Sequence, residues 1–534
     1  MAKEVDIVLE SYRVANAEKE ESNHLRLDAG KYAWPDAQDM YRSAESSGGR
    51  EYALDIYDST AIDASFRLAA NIMSWLMPVG SKWFEFNAAD YEDNIDDNIR
   101  MWLSKATGVT HSEIWRSNFM REMFATIRSY VVFGTGVISV QKDDDSLVYR
   151  SYHVGDIAFA QNSKGLIDTV FRDIYYTARQ AVQEFGEENL PDKVNKMAQN
   201  PTDANQKVKF IHAVVPNSDF DKTKIDSLKF RSLFIFEEEK MIVKEEQFKS
   251  NPYFIMRFTI APGELWGRGP VTEMLPEIRM LNKMRLDFME AAELANHPPM
   301  MVEDDGVIGQ PVTEPRGIIY MRTGAAEPKP WNTGGNLPLT NEILLQQQNF
   351  IREGMLINVF QTLEGVKNVS SATEAQIRKE DGLAIVSAVV GAVQKDALDP
   401  IIVRSMGLID KKKLPPAPRK FDFDIIYQGR MAMAMSALHA NAIELFLAKV
   451  APYEPLGAMD NINMDKATRH IALAGSVPAE VMVPMDVVEA KRAEQKAAAQ
   501  QQLEIENAEA ASQAVKNAGA PIDETSLAAQ IGGQ

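Results

Sequence analysis

Residues 276–295 read as one helix whose apolar side chains do not keep to a single face. Ile278, Leu281, Met284, Leu286, Phe288, Met289 and Leu294 spread around it, with Arg279, Lys283, Arg285, Asp287, Glu290 and Glu293 between them. A helix of that span rises roughly 30 Å. A rod so long with so broad an apolar surface needs neighbours on more than one side. Identical copies around a ring would supply them, and so would a large monomeric core. The methionines along it, Met274, Met280, Met284 and Met289, suit adaptable filler or an adaptable interface.

A second rod follows after an insert. Residues 298–338 are punctuated by Pro and Gly, with strands predicted at Met300 to Glu303 and Gly317 to Met321. Thr340 offers a cap for a helix from Asn341 to about Phe360, and 361–370 reads as a loop. Ser371 with Glu374 three residues on forms a capping box, with Thr373 and Gln376 as the alternative. The helix they open runs to about Leu398 and ends at Pro400. Two long helices around a small β-rich insert are an unusual plan for an enzyme.

The first half is mixed. A polar helix spans about Glu4 to Lys31, and a second, about Ser59 to Met77, carries the stripe Ile62, Phe66, Ala69, Ala70, Met73 and Leu76. A strand follows at Trp83 to Phe86. Helices are predicted over Glu92 to Lys105 and His111 to Tyr130, then strands from Val131 to Val140 and from Leu147 to Asp173. A short helix spans Thr177 to Phe185, and three or four strands span Lys207 to Arg257. Lys420 to Tyr427 alternates as a strand. Arg430 onward is almost wholly helical, ending in an Ala/Gln/Glu-rich stretch over Val487 to Lys516.

Composition narrows the classes. The 534 residues are enough for several domains, and 45% are hydrophobic. No run of eighteen apolar residues suggests a membrane span, and the first residues lack the pattern of a signal peptide. With no cysteine, disulfides, thiol nucleophiles and cysteine-ligated zinc are excluded. The formal charge of −19 argues against a grip on DNA built from many phosphate contacts.

Chemical motifs are sparse. Gly30-Lys31 is followed by Tyr32 and lacks the preceding glycine of a phosphate-binding loop, so a nucleotide-hydrolysing motor is not indicated. Gly134-Thr135-Gly136 and Gly267-Arg268-Gly269 lack the third glycine of a dinucleotide loop. There is no Gly-x-Ser-x-Gly, and no two histidines sit at the spacing of a helical zinc site. Asp422 and Asp424 place two carboxylates on one strand face. That pair serves a metal-dependent nuclease or, more plainly, the solvated side of an amphipathic strand. No cofactor is indicated.

Three blocks, in this order, resemble the head-to-tail connector, or portal protein, of short-tailed bacteriophages. They are Leu265-Trp266-Gly267-Arg268-Gly269-Pro270 with its helix, His297-Pro298-Pro299 and Glu303-Asp304-Asp305-Gly306; then Ser371 to Glu380; then Ile462 to Pro478. Arg67 to Phe84 adds a fourth point of likeness.

The resemblance implies an α+β, mainly helical portal-type ring subunit with wing, stem, clip, crown and C-terminal helical barrel. By that likeness the wing is 1–270, the first stem helix 271–296, the clip 297–338 and the second stem helix 339–360. The tunnel loop is 361–370, the wing spine helix and strand 371–428, the crown 429–485, and the barrel or tail 486–534. A homododecamer at one capsid vertex of the virion, assembled in the host bacterial cytoplasm, is implied. Double-stranded DNA passes through it. Its implied partners are the terminase large subunit, the tail adaptor, the major capsid and scaffolding proteins, and internal core proteins, with no membrane.

Residue assignments carried by the likeness are these. Gln361, Glu364, Lys367 and Asn368 line the tunnel loop. Met300, Met301, Glu303, Asp304, Arg316, Arg322 and Trp331 belong to the clip, where motor and adaptor dock. Ile278, Leu281, Met284, Phe288, Phe350 and Met355 pack the stems of neighbouring subunits. The rivals are a nuclease using Asp422 and Asp424, and another capsid or tail structural protein.

Overall fold

The computed structural model describes residues 2–41, 55–88, 97–144, 146–219, 228–301, 321–324, 326–327, 329–330, 337–364, 372–410, 412–414, 416, 422–456, 461–474, 483, 487–488, 490–498, 500–502, 505 and 507. The chain divides into two compact units, 1–432 and 433–534.

Two helices, α1 (Ala2–Glu21) and α2 (Asn23–Ala33), replace the single one expected at the start. The chain breaks at Ser22, where the Arg26 guanidinium donates back to Asn23 Oδ1 at 2.8 Å and to the Lys19 carbonyl. α3 (Thr60–Leu76) buries Ala61, Ala64, Ser65, Leu68, Ile72 and Trp75, while Phe66 is exposed and Ile62 and Met73 are half-buried. Of the stripe read from sequence, Ala69 and Leu76 are buried, and the buried face is centred further round the helix. Small residues on the buried side let other helices come close, and Ser65 Oγ donates to the α2 carbonyl of Ala33 at 3.2 Å.

After β1 (Phe84–Ala88), α4 (Asp97–Arg116) runs straight through the gap expected between Lys105 and His111. Thr107 explains it. Its hydroxyl donates to the Leu103 carbonyl at 2.8 Å and accepts from Phe86 N at 3.0 Å, so a poor helix former is held by a bond to the strand beside it. The break falls instead at Ser117–Asn118, before α5 (Phe119–Phe133).

Two antiparallel sheets follow. β2 (Thr135–Asp143), β3 (Ser146–Tyr152), β4 (Ile157–Gln161) and β5 (Ile167–Thr177) come first. Then come α6 (Ala178–Phe185), α7 (Asp192–Gln199), β6 (Lys207–Pro216), β7 (Phe230–Phe236), β8 (Met241–Phe248) and β9 (Tyr253–Arg257). The strand orders are β4-β5-β6-β7-β8 and β3-β2-β9. Alternation along β6 and β7 feeds two cores. Ile211, Ala213, Val215, Leu233 and Ile235 meet Val5, Val8, Leu9, Tyr12 and Ala15 of α1. That spacing of threes and fours makes α1 a packed amphipathic helix. Val208, Phe210, Phe234 and Phe236 point the other way, onto Ala178, Ala181 and Phe185 of α6 and Val194 of α7. A capping box closes the start of α6: Thr177 Oγ1 accepts from Gln180 N at 3.2 Å, and Gln180 Oε1 accepts from Thr177 N at 3.0 Å.

Next come α8 (Pro270–Glu273) and α9 (Leu275–Asn296), each with proline in its first turn, where no N–H is needed. The described part of the insert holds a two-residue pairing of β10 (Met300–Met301) with β11 (Lys329–Pro330). Then α10 (Leu337–Gly354), α11 (Ile357–Glu364) and α12 (Ala372–Val393) follow. The expected cap residue Ser371 lies outside the described residues, and Thr340 sits inside α10 and not at its start.

Pro400 does not end the helix. A π-helical turn at Gln394–Leu398 resets the hydrogen-bond ladder, and Pro400 falls in the first turn of α13 (Asp399–Leu408), where its missing N–H costs nothing. β12 (Phe423–Tyr427) returns to pair antiparallel with β1, Phe84 opposite Tyr427. Trp83 stacks at 6.1 Å on Phe119 and at 6.4 Å on Tyr427. Positions more than three hundred residues apart thus share one aromatic core.

α14 (Arg430–Val450) and α15 (Met464–Ala474) carry the chain onward. Within the second unit Arg492 makes a two-armed contact with Asp465 at 2.5 and 2.7 Å. Among the described residues no helix is long and apolar enough to cross a membrane.

Candidate subunit interface and docking surfaces

The base of the helical hairpin is fixed by glycines. α5 ends at Gly134 with φ +74°, and the backbone of Gly267 to Gly269 lies directly against it. A Cβ on Gly269 would stand 2.8 Å from Gly134 N. Gly267 N donates to Thr135 Oγ1 at 3.2 Å, and Arg268 N donates to the Thr259 carbonyl at 2.7 Å. Just before Gly267, Trp266 is buried with its ring 4.4 Å from Phe159 and the Arg26 guanidinium 4.1 Å over it. The Trp-Gly-Arg-Gly-Pro block is a packing joint that sets where α9 starts against α5 and β2.

Polar contacts hold the lower part of the hairpin. Asn282 Oδ1 accepts from Tyr57 N at 2.7 Å, and its Nδ2 donates to the Asp55 carbonyl at 2.9 Å. Gln348 Nε2 donates to Asp58 Oδ2 at 2.7 Å, and Arg279 pairs with Asp28. α10 runs antiparallel to α9: Gln347 bonds Glu277, and Gly354 lies against the Met274 thioether.

The hairpin buries little beyond this base. On α9 only Leu275, Ile278, Leu281 and Asn282 are buried. Met284 and Phe288 are half-buried, and Met280, Met289 and Leu294 are exposed. On α10, Leu344 and Ile351 face inward, whereas Leu339, Ile343, Leu345 and Phe350 are 44–53% exposed. The six residues expected to pack neighbouring stems therefore divide. Ile278, Leu281 and Met355 are already covered by their own chain, at 4%, 2% and 0% exposure, because the base of the hairpin packs on α2 and α3. Phe350, at 52%, is open. Leu339, Ile343 and Leu345, as exposed as Phe350, were not singled out from sequence, although apolar residues cluster in 337–350.

The second rod also bends earlier than expected. α10 stops at Gly354, Leu356 takes φ +57°, and α11 begins at Ile357. α11 buries Ile357, Phe360 and Leu363, with Phe360 edge-on to Trp75 at 6.1 Å. Gln361 and Glu364 thus belong to a helix and not to a loop, because this apolar face anchors on α3. Lys367 and Asn368 lie outside the described residues, as do Glu303, Asp304, Arg316 and Trp331. Met300 and Met301 occupy β10, with Met301 exposed, and Arg322 is exposed.

Reaction chemistry finds no open centre among the described residues. No three His, Cys, Asp or Glu side chains cluster as metal ligands. Asp422 and Asp424 are both exposed, and Asp424 pairs in register with Asn87. A fully enclosed trio, with no local pattern to announce it, joins His212 to Tyr253 Oη at 2.7 Å through Nδ1 and to Ser232 Oγ at 2.8 Å through Nε2. Burial, with Arg172 and Lys244 nearby, holds this imidazole well below its usual pKa, so it is neutral. Closed to substrate, it is a packing element.

A joint of glycines and an anchored hairpin with apolar outer surfaces suit a rod-bearing subunit that meets other proteins. The family of bacteriophage head to tail connecting proteins matches residues 7–483, and the chain belongs to that family, whose members are structural and not catalytic. It is 26% identical over 509 residues to the "Probable portal protein" of Bordetella phage BPP-1, covering 90% of this chain and 88% of that one. It is 24% identical over 481 residues to the "Portal protein" of Salmonella phage epsilon15, covering 86% of each.

Proposed function

We propose that this chain is a portal subunit: a ring of identical copies at one capsid vertex that passes double-stranded DNA during packaging and ejection. The names of its relatives and the family match support the reading. The observation that carries it is the hairpin of α9 and α10, whose outer faces leave Met280, Met289, Leu339, Ile343 and Phe350 in water. Rods held at the base and apolar on their flanks are covered when each stands between two copies of itself.

Twelve copies and the division into wing, stem, clip, crown and barrel follow the resemblance. On that plan 297–338, with Met300, Met301, Glu303, Asp304, Arg316, Arg322 and Trp331, meets the terminase large subunit and later the tail adaptor. The segment after Glu364, with Lys367 and Asn368, faces the DNA. Major capsid and scaffolding proteins contact the outside of the ring. Copies carrying −19 each make a strongly negative assembly, which favours sliding of DNA over binding. Mass measurement of the purified protein together with negative-stain microscopy tests the reading. A closed ring with a central hole is expected; a stable compact monomer overturns it.

A further inference from the structure

A cavity of about 940 Å³ opens on the first unit, away from the hairpin. That is near the upper end of the roughly 300–1,000 Å³ common for ligand pockets. Its walls come from the β4–β5 turn, the start of β7, the β8–β9 turn, β9 itself, and the π-turn with α13. One helical stripe, Asp396, Pro400, Val403, Arg404 and Gly407, forms a whole side of it. The π-turn at Gln394–Leu398 brings Lys395 and Asp396 into that side, and such insertions concentrate where a helix is shaped for a task.

The charge of this cavity opposes that of the chain. Five basic side chains line it, Lys229, Lys249, Arg257, Lys395 and Arg404, against the one carboxylate of Asp396, and of these Lys395 is already paired with Asp399 at 2.9 Å. The whole chain carries −19. Arg404 is built in: Nε donates to the Val140 carbonyl at 3.1 Å, and Nη1 donates to Ser250 O and Oγ at 2.7 and 2.8 Å. Its guanidinium lies 5.2 Å over the Phe248 ring. Burial lowers its pKa to about 10, so it stays charged at neutral pH. Arg257 donates through Nη1 to the Leu265 carbonyl at 3.1 Å, while its buried Nε has no partner. Lys229 and Lys249 stand exposed at the lip, with no ion pair among the described residues.

The rest of the lining is apolar. Phe230, Phe248 and Ile255 contribute to it, and Leu166 and Val403 stand exposed at 63% and 47%. A nucleic acid backbone wants cations along an open track. Here the cations ring a concave, partly aromatic space, and two of them are tied to backbone carbonyls inside it. We propose that this cavity docks an acidic segment of a partner protein, which inserts an aliphatic or aromatic side chain between Leu166, Phe230 and Val403 while its carboxylates meet Lys229 and Lys249. The proposal concerns a surface separate from the hairpin and holds whatever the number of copies.

The test pans a random peptide display library against the purified full chain, with assembly mass measured in parallel. Recovered peptides should combine Asp or Glu with Leu, Ile or Phe. A fluorescent copy of the leading peptide should bind the wild type and lose about tenfold in affinity to the double variant Lys229→Glu, Lys249→Glu. Leu166→Asp, a change at an exposed position, should weaken it as well. Peptides without an acidic bias, or equal binding by the double variant, overturn the proposal. So does displacement of the peptide by a short DNA duplex at lower concentration than by unlabelled peptide. A smaller assembly mass for the double variant would also overturn it, by placing a neighbouring copy in the cavity. Peptide binding by a protein that stays monomeric would sink the ring and leave the cavity proposal standing.

Discussion

Tyr149 Oη and Ser405 Oγ meet at 2.7 Å inside the first unit, although 256 positions separate them. The bond ties β3 to α13, so the chain before the hairpin and the chain after it close one core. Burial pushes the Tyr149 phenol well above its usual pKa, so both groups are neutral and each needs the other. Tyr149→Phe leaves the Ser405 hydroxyl without its partner and should cost about 1–3 kcal/mol. Ser405→Ala should cost a similar amount, and the double variant less than the sum. Denaturant midpoints measure all three; strict additivity would refute the coupling.

The exposed face of α10 separates folding from assembly. Phe350→Glu touches a half-open side chain, so it should change the stability of the folded chain by no more than about 0.5 kcal/mol. It should nevertheless reduce the assembly mass to small species. Ile351→Ala, one position away and fully buried, should do the reverse, costing about 2–4 kcal/mol of stability before assembly suffers. Native mass and thermal melting of both variants check this, and intact rings from Phe350→Glu would contradict the interface.

At the glycine joint, Gly134→Ala adds a Cβ where φ is +74° and where the backbone of Gly267 to Gly269 already lies. The left-handed conformation alone costs about 1–2 kcal/mol for a side-chain residue, and the overlap adds to it. The expected outcome is a loss above about 2 kcal/mol in the denaturation midpoint. A melting point equal to the wild type would show that the joint yields.

Acid should loosen the contact between the two sheets. His212 on β6 faces Ser232 on β7, Tyr253 on β9, and the cations Arg172 and Lys244 on β5 and β8. Its folded pKa lies below the unfolded value of about 6.5, so the unfolded chain binds the extra proton. Stability from the neutral ring is therefore complete above about pH 6.5 and lost as pH falls below it, with a slope up to about 1.4 kcal/mol per pH unit. His212→Gln should be less stable at neutral pH and show a flatter fall between about pH 6.5 and 5. Parallel slopes for the two proteins would remove His212 as the cause.

Removing residues 365–370 should leave assembly mass unchanged and reduce the DNA held by particles. Full packaging by that deletion would end the proposed role of Lys367 and Asn368.

The strands of 207–257 and the short helix after Thr177 were legible because alternation and capping act within a few residues. That Gly134-Thr135-Gly136 and Gly267-Arg268-Gly269 are not dinucleotide loops was legible from their spacing; that the two pairs pack on each other was not. What failed was decided from afar. Nothing near Thr107 announces that Phe86 N will bind its hydroxyl and carry α4 through a weak stretch. Both sides of α3 are apolar, so the sequence could not tell which one α2 and α5 would cover. Pro400 reads as a stop because a proline at the head of a new helical segment looks locally like one at the end of an old segment. For the interface, apolar character was visible in Ile278, Leu281, Met355 and Phe350 alike. Only the fold shows that the first three are spent inside the chain.

Leu356 alone separates the buried Met355 from the start of α11. A glycine between α10 and α11 would let the two segments swivel. A leucine at φ +57° accepts a standing strain in exchange for a single setting, with Met355 and Ile357 buried on either side. The junction is a locked elbow, so a push delivered along α10 arrives at α11 and at the ring of Phe360 as displacement and is not lost in rotation.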